Sequence, residues 1–510
     1  MSLIVEGFSA AVDAPTIRVR RLGLVTQHEA IVLMRADCHV CRAEGLSARA
    51  QVRLSAHGRD VYATLYQVQD DWLGHDEAGL SESLWTRLGV AEGDEVAVRH
   101  APTLESLSSV RRRIYGQRLS AAAMTGVVED VAEGRYTDIH LAAFLTAASA
   151  FPLDHAETVA LTRAMVGVGD RLVWPTPLVM DKHSVGGLPG NRTTPLVVAI
   201  VAAAGLVIPK TSSRAITSPA GTADTMETLA PVDLDLATIR RVVSEEGGCV
   251  AWGGSVRLSP ADDVFIRVER VLDVDTEGQL VASVLSKKIA AGSTHVVLDI
   301  PVGPTAKVRT EADGERLAGV LGRVAGELGL TARCVLSNGD QPVGRGVGPA
   351  LEARDILKVL QGAPDAPADL RQRACALAGA ALELGGSAPP GAGVAAAEHI
   401  LRQGRAWAKF QRICEAQGGM RTPPQASLTR PVAAAHAGRV VHINNRKIAR
   451  LAKLAGAPDV KAAGLELMAR LGEEVAAGQP LLMVHAQSPG ELAYALAYAE
   501  GNLDLVEVEA

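Results

Sequence analysis

The sequence predicts an α/β protein in several parts: an N-terminal β-barrel-like module, a helical domain, a large α/β domain and a C-terminal α+β domain. Three observations predict it. Near Leu104 the apolar period changes from strand-like alternation to helical i, i+3, i+4 spacing. Between residues 172 and 260, short apolar runs alternate with helical runs, the pattern of a parallel sheet covered by helices. Within that region lie two loops dense in glycine, hydroxyl and cationic residues. Each sits between a strand-like and a helix-like run, where a parallel α/β sheet holds its ligand. The expected parts are 1–103, 104–171 (with 261–290 returning to it), 172–425 and 426–510.

The totals agree. At about 150 residues per domain, 510 residues suggest three or so domains. With 48% hydrophobic but only 3% aromatic residues, the cores must be Ala/Val/Leu packing. A net charge of -6 and no basic face argue against nucleic-acid binding. No Arg/Lys-then-apolar segment opens the chain, and the apolar run 195–208 is too short to span a bilayer. The expectation is a cytoplasmic protein without a membrane partner.

Taken in order, Ile17–Leu22, Glu29–Met34, Gln51–Leu54 and a last run at Val96–Val98 read as strands of a small barrel. This module holds Cys38 and Cys41, the one close pair among six cysteines. A lone CxxC reads either as structural thiols or as half of a metal or redox site. Glu105–Tyr115, Ser120–Glu133, Thr137–Ser149 and Asp154–Gly167 read as helices, with Thr137 and Asp154 as N-caps. Arg111, Arg112 and Arg113 read as a solvated face, or as a phosphate clamp. Residues 261–290 are helical again. Val296–Ile300 and Arg333–Ser337 read as strands. Residues 339–346 nearly match a P-loop, but Arg345 and Gly346 stand where Lys and Ser/Thr are needed, so no ATP site is expected. In the last part Gly438–Ile443 and Pro480–His485 read as strands, and Asn444–Leu454 and Val460–Leu471 as helices.

The two loops carry the chemistry. The first runs from Lys182 through Gly186, Gly187 and Gly190 to Thr194, after the strand-like Leu178–Met180 and before a helix-like run from Pro195 to Ala204. The second follows Val207–Ile208 and holds Lys210–Arg214 and Ser218–Thr222. A helix opens after it near Thr222 or Asp224, with Glu227 completing a capping box from Asp224. In each, a glycine-rich turn aims backbone N–H groups and a helix dipole at one point, while Lys and Arg side chains add full charge. Either loop alone reads as an ordinary βα turn. Two of them within about 40 residues point to an anion site.

Lys-His-Ser followed by a Gly-rich turn at 182–187, and Ser-Ser-Arg-Ala-Ile-Thr-Ser-Pro-Ala-Gly-Thr-Ala-Asp-Thr-Met-Glu at 212–227, resemble the thymidine/pyrimidine-nucleoside phosphorylase family. The resemblance runs from Leu104 to the C-terminus. The module before it resembles the longer branch, which includes AMP phosphorylases and bacterial proteins described as thymidine phosphorylases. The resemblance implies a helical domain hinged to a large α/β domain, assembled as a homodimer. It also implies a pentosyltransferase that splits a nucleoside with inorganic phosphate, releasing free base and (deoxy)ribose 1-phosphate, with no metal or organic cofactor.

By motif position, the resemblance assigns phosphate contacts to Lys182, Ser184, Thr194, Ser212 and Thr222. It assigns substrate contacts to Gly187, Ser213, Arg214, Ala215, Ile216, Thr217, Ser218 and Lys307, and base contacts to Ser283 and Lys287. Asp275 corresponds to the proton donor, and His183 is the second candidate for handling charge on the base. Read alone, Asp275 is a surface carboxylate, His183 a core histidine and Lys288 a helix-face lysine. The arginine that shorter members aim at the pyrimidine has no unambiguous match, since Arg267 and Arg270 both lie nearby. The longer turn 188–191 and Pro219 also depart from those members. These departures pull toward AMP as substrate, giving adenine and ribose 1,5-bisphosphate, whereas the CxxC module and the family's usual description favour thymidine, so thymidine is the expected substrate and AMP the alternative. Two rivals remain: an anthranilate-phosphoribosyltransferase-like enzyme, which needs an acidic magnesium pair, and a non-enzymatic phosphate-binding protein.

Overall fold

The computed structural model describes residues 15–510 except 216, 217, 273 and 275. They divide into two compact units. One holds the residues up to Gln117 together with Gly126–Phe144, the other Arg118–Thr125 and Leu145–Ala510.

The first unit contains a closed barrel. Its strands are β1 (Thr16–Arg21), β2 (Ile31–Arg35), β3 (Gln51–Ala56), β4 (Arg59–Val68), β5 (Glu77–Leu80) and β6 (Glu95–His100), in the order β1-β5-β2-β4-β3-β6. Alternate residues such as Val32, Met34, Val52 and Leu54 point inward and are fully buried, so one apolar face fills the barrel. Two short helices, α1 (His39–Glu44) and α2 (Glu82–Leu88), connect strands. Four helices follow: α3 (Leu107–Ile114), α4 (Ala121–Ala132), α5 (Asp138–Ala150) and α6 (His155–Gly167). Asp154 caps α6 in a full capping box with Glu157, as its position suggests. Arg111 and Arg112 are exposed, whereas Arg113 is buried.

In the second unit the α/β part opens with β7 (Met180–Ser184), α7 (Thr194–Ala203), β8 (Ile208–Ser212), α8 (Thr222–Glu227), α9 (Leu236–Glu246) and β9 (Gly248–Trp252). The helices α10 (Pro260–Leu272) and α11 (Glu277–Ala290) come next, and α11 packs on α6 through Val159, Val281 and Leu285. Then follow β10 (His295–Val302), α12 (Glu311–Glu327), β11 (Thr331–Asn338), the short β12 (Gly346–Val347), and α13 (Pro349–Gln361), α14 (Ala368–Leu384), α15 (Gly393–Arg402) and α16 (Arg405–Ala416). The strands β11, β10 and β7 form one parallel sheet, and β8 and β9 a second. A parallel bridge from Val179 to Val207 joins the two across β7 and β8. Residues 194–202 of α7 are all buried at the centre of the largest core. Such all-round burial explains why the helix is apolar on every side.

The chain ends with β13 (Leu428–Ala433), β14 (Gly438–Ile443), α17 (Asn445–Leu454), β15 (Gly464–Leu467), β16 (Glu474–Val475), β17 (Pro480–Ala486), α18 (Pro489–Glu500) and β18 (Val506–Glu509). No helix among the described residues is long and apolar enough to cross a membrane.

Some elements differ from expectation. Val460–Leu471 is not a helix: it contains β15, which pairs with β12 and β17. A short apolar run fits either period, and the ladder decides. Lys182–Ser184 and Lys210–Ser212 belong to strands β7 and β8 rather than to loops. The donors therefore stand on rigid strand ends. Gly221, not Asp224, caps α8, and Asp224 in its first turn accepts from the Gly221 N–H at 2.9 Å.

Candidate functional site

The C-terminal end of β7 delivers Lys182, His183 and Ser184. Lys182 is 1% exposed. Its Nζ donates to Thr193 Oγ1 at 2.8 Å and to Thr194 Oγ1 at 3.5 Å, at the N-terminus of α7. Burial draws the ammonium down to about 8, against the opposing pull of Asp299. A lysine buried here with hydroxyl partners is poised to exchange them for an anion.

The turn after Ser184 needs left-handed backbone at Gly187 and at Asn191, with φ of 81° and 52°. A Cβ at Gly187 would fall 2.5 Å from the Lys307 nitrogen, so glycine is what lets the loop lie on the Lys307 segment. Asn191 tolerates the left-handed region and ties the loop down. Its Nδ2 donates to Asp299 Oδ2 at 3.1 Å and to Ser184 Oγ at 3.4 Å, and its N–H to Val343 at 3.0 Å. Asp299, fully buried on β10, also accepts from Ser337 at 2.6 Å. The P-loop-like segment thus braces this turn. The Arg345 and Gly346 N–H groups of that segment donate to Asp355 at 2.6 and 2.7 Å.

Arg192 joins the two loops. Its guanidinium donates to Thr222 Oγ1 at 2.9 Å and to the Ala220 carbonyl at 2.8 Å, while Nε donates to Glu352 at 2.6 Å. Glu352, 1% exposed on α13, also accepts from Thr225 at 2.8 Å. Arg192 is therefore a brace, and the charge expected from it at the anion point is largely spent. At the end of β8, Ser212 Oγ is buried with no hydrogen-bond partner among the described residues, a free hydroxyl beside the second loop.

The rest of that loop is held internally. Arg214 pairs with Glu227 at 2.8 Å and Asp224 at 3.3 Å, and lies over the Trp252 ring. The Ala215 N–H goes to Asp224 at 2.6 Å. Ser218 Oγ donates to the Ala220 carbonyl, and Ser213 is exposed. Ile216 and Thr217 lie outside the described residues, as does Asp275.

Beneath β7 sits a buried charge cluster that the sequence did not announce. Asp181, fully buried, pairs with Lys288 at 2.9 Å and Lys210 at 3.5 Å. Lys288 is thus not a helix-face lysine: it is 2% exposed and turned inward to this carboxylate. Burial opposes charge on Asp181, yet the two lysines outweigh it and hold its pKa below the usual range. Burial, followed by the charges of Lys288, Lys210, Lys287 and Lys182, pushes His183 well below its ordinary pKa. At neutral pH its imidazole is uncharged and can donate one N–H. On α11, Ser283 Oγ donates to Asp262 at 3.0 Å and Lys287 pairs with the same carboxylate.

The structure thus gathers Lys182, Ser184, Thr194 and Thr222 through direct contacts of the two loops, and sets Gly187 against Lys307. Asn191, Asp299, Glu352, Asp181 and Asp262 were missed. Nothing in their sequence neighbourhood separates them from other polar residues, and only their buried partners reveal them. In the first unit, Cys38 and Cys41 are buried, and Cys38 Sγ accepts from the Cys41 N–H at 3.2 Å. Among the described residues, no three His, Cys, Asp or Glu side chains gather as a metal site.

Residues 176–407 match the α/β domain model of a glycosyl transferase family, residues 108–169 its helical bundle domain, and residues 439–505 the pyrimidine nucleoside phosphorylase C-terminal domain. A protein of Chelativorans sp. (strain BNC1) named "Putative thymidine phosphorylase" is 67% identical over 502 residues, 98% of this chain and 99% of its own. One of the same name from Tolumonas auensis is 62% identical over 497 residues, 98% of each chain. Anthranilate phosphoribosyltransferase from Thermus thermophilus superimposes with a TM-score of 0.50 at 22% identity, over 61% of this chain and 99% of its own, a likeness of fold.

Proposed function

Since the chain belongs to the thymidine/pyrimidine-nucleoside phosphorylase family, we propose that it is a pentosyltransferase splitting a pyrimidine nucleoside, nominally thymidine, with inorganic phosphate. The observation that carries the reading is the buried Lys182 at the junction of two braced, hydroxyl-rich loops. The names of the relatives and the C-terminal domain model support a pyrimidine nucleoside over AMP.

In this reading Lys182, Ser184, Thr194, Ser212 and Thr222 hold phosphate facing the anomeric carbon. A phosphate oxygen bonds to C1′ as the C1′–N1 bond breaks, through a cation-like sugar. The electron pair leaves with the base and spreads onto its O2 carbonyl. Ser283 and the Lys287 ammonium face the base. His183, neutral, donates an N–H to the developing charge rather than a proton. Asp275 keeps the proton-donor role that the resemblance implies. Gly187, Lys307 and residues 213–218 line the sugar side. Arg214 serves there by ordering the loop, since its charge is met by Glu227 and Asp224. The proposal includes a homodimer working in the cytoplasm without metal or organic cofactor.

The test is release of free base from thymidine, uridine, cytidine and AMP, each with and without phosphate. Phosphate-dependent thymine release is expected. Turnover of AMP far above that of thymidine would overturn the pyrimidine assignment, and phosphate binding with no release of any base would leave a binding protein.

A further inference from the structure

Two turns leave the C-terminal edge of the parallel sheet, where such sheets hold their ligands. One follows β10 and carries Thr305 and Lys307, and the other follows β11 at Gly339. Their backbones touch: a Cβ on Gly303 would fall 2.4 Å from the Gly339 carbonyl carbon. One side chain from the C-terminal part bolts them together. Asn445, fully buried at the start of α17, donates through Nδ2 to Thr305 Oγ1 at 2.9 Å and to the Gly339 carbonyl at 2.9 Å. Its backbone N–H, one of the first-turn donors that a helix leaves without an internal acceptor, also goes to Thr305 Oγ1, at 3.1 Å. Its Oδ1 is buried with no hydrogen-bond partner among the described residues. Leaving that acceptor unmet costs stability. The residue is therefore explained by what its amide donates, not by filling of the core.

Pinning Thr305 pins Lys307. The turn is closed on itself, the Ala306 N–H donating to the Gly303 carbonyl and the Gly303 N–H to the Val308 carbonyl, each at 3.0 Å. Gly187 of the first loop lies against the Lys307 backbone. We propose that Asn445 is a positioning residue for the sugar side of the site: through Thr305 it fixes the Lys307 turn, and through that turn the place of Gly187. The C-terminal part, which matches a domain model of its own, thereby takes part in substrate binding without touching substrate. The inference rests on the reading of Gly187 and Lys307 as substrate contacts. The phosphate donors depend on Asn445 less, since Lys182 is held by Thr193 and Thr194, and Asn191 is tied to Asp299.

Steady-state kinetics with nucleoside and phosphate varied in turn tests it. Thr305→Val removes the acceptor at nearly constant volume, and Asn445→Ala removes the amide donors. Each should raise the nucleoside KM about three- to tenfold, the worth of one or two neutral hydrogen bonds, with the phosphate KM unchanged. Thr305→Ser retains the hydroxyl and should keep the parental nucleoside KM. In the Thr305→Val background, Asn445→Ala should add less than it does alone, because the two residues act through one contact. A merely structural role would lower the folded fraction, so that kcat falls while both KM values stay. An unaltered nucleoside KM in folded Thr305→Val, an equal rise in both KM values, or full additivity of the two substitutions would overturn the inference. Should Asn445→Ala not fold, Thr305→Val and Thr305→Ser decide alone. Failure of the natural protein to release any base counts against the proposed function, whereas base release with a nucleoside KM indifferent to Thr305→Val counts against this inference.

Discussion

Lys182 is the residue on which the site turns. It is buried, and its hydrogen-bond partners among the described residues are the Thr193 and Thr194 hydroxyls, so burial opposes its charge more than these neutral partners relieve it unless an anion arrives. Lys182→Met should cut kcat/KM by about 10²–10³, the range seen when one preorganised donor to developing charge is lost, with the loss expressed in the phosphate KM. The lowered pKa predicts a pH dependence with a definite sign. Below a pH of about 8 the free side chain is an ammonium, and above it the proton leaves and the attraction for anions goes with it. Sulfate, whose own charge is constant through this range, should therefore bind progressively more weakly as pH rises past 8. Titration calorimetry at several pH values checks this, and sulfate affinity independent of pH would refute the role. His183 follows the opposite logic. Burial first, and then the charges of four lysines, push its pKa well below the ordinary value, which opposes the acid role that its type suggests.

At the scale of elements, strands β7 and β8 aim the donors and helices α7 and α8 close over them, but Arg192 locks the pieces. It reaches α8 through Thr222 and α13 through Glu352. Glu352→Gln removes the buried countercharge and leaves Arg192 half-satisfied. We expect a loss of about 3–5 kcal/mol in unfolding free energy, as for other buried pairs deprived of one partner, together with a raised phosphate KM. Denaturant unfolding of the variant measures the first. A variant as stable as the parent, with unaltered phosphate KM, would show that the brace is idle. Lys461, from the C-terminal part, reinforces the same helix through Asp224 at 3.1 Å and Glu227 at 3.2 Å.

For the whole molecule, each compact unit has its own apolar core, and every described donor of the site lies in the second. Sulfate or phosphate should thus raise the melting temperature of the unit that carries the site, by the free energy of mass action: about 2.7 kcal/mol at a hundredfold excess over Kd. Calorimetry should show this transition moving with the logarithm of anion concentration. Exhaustive chelation with EDTA should change neither that transition nor base release. Activity lost to EDTA and restored by a divalent cation would contradict the metal-free mechanism.

The amino-acid order alone determined the β, helical, α/β and C-terminal succession, because periods of 2 and 3.6 and the glycine-rich turns are local properties of the chain. The two donor-rich, glycine-bearing stretches are also visible without coordinates, and the family resemblance assigned phosphate contacts within them to Lys182, Ser184, Thr194, Ser212 and Thr222. Tertiary structure alone decided which charges are free. Arg192 and Arg214 read as anion holders, but partners up to about 160 residues away claim them, Glu352 above all. Lys288 read as a surface lysine, and Asp181, more than 100 positions earlier, turns it inward. The physical reason is the same in each case. A charge acts on a ligand only to the extent that it is not already neutralised and buried, and the groups that do so are brought in by folding from distant sequence.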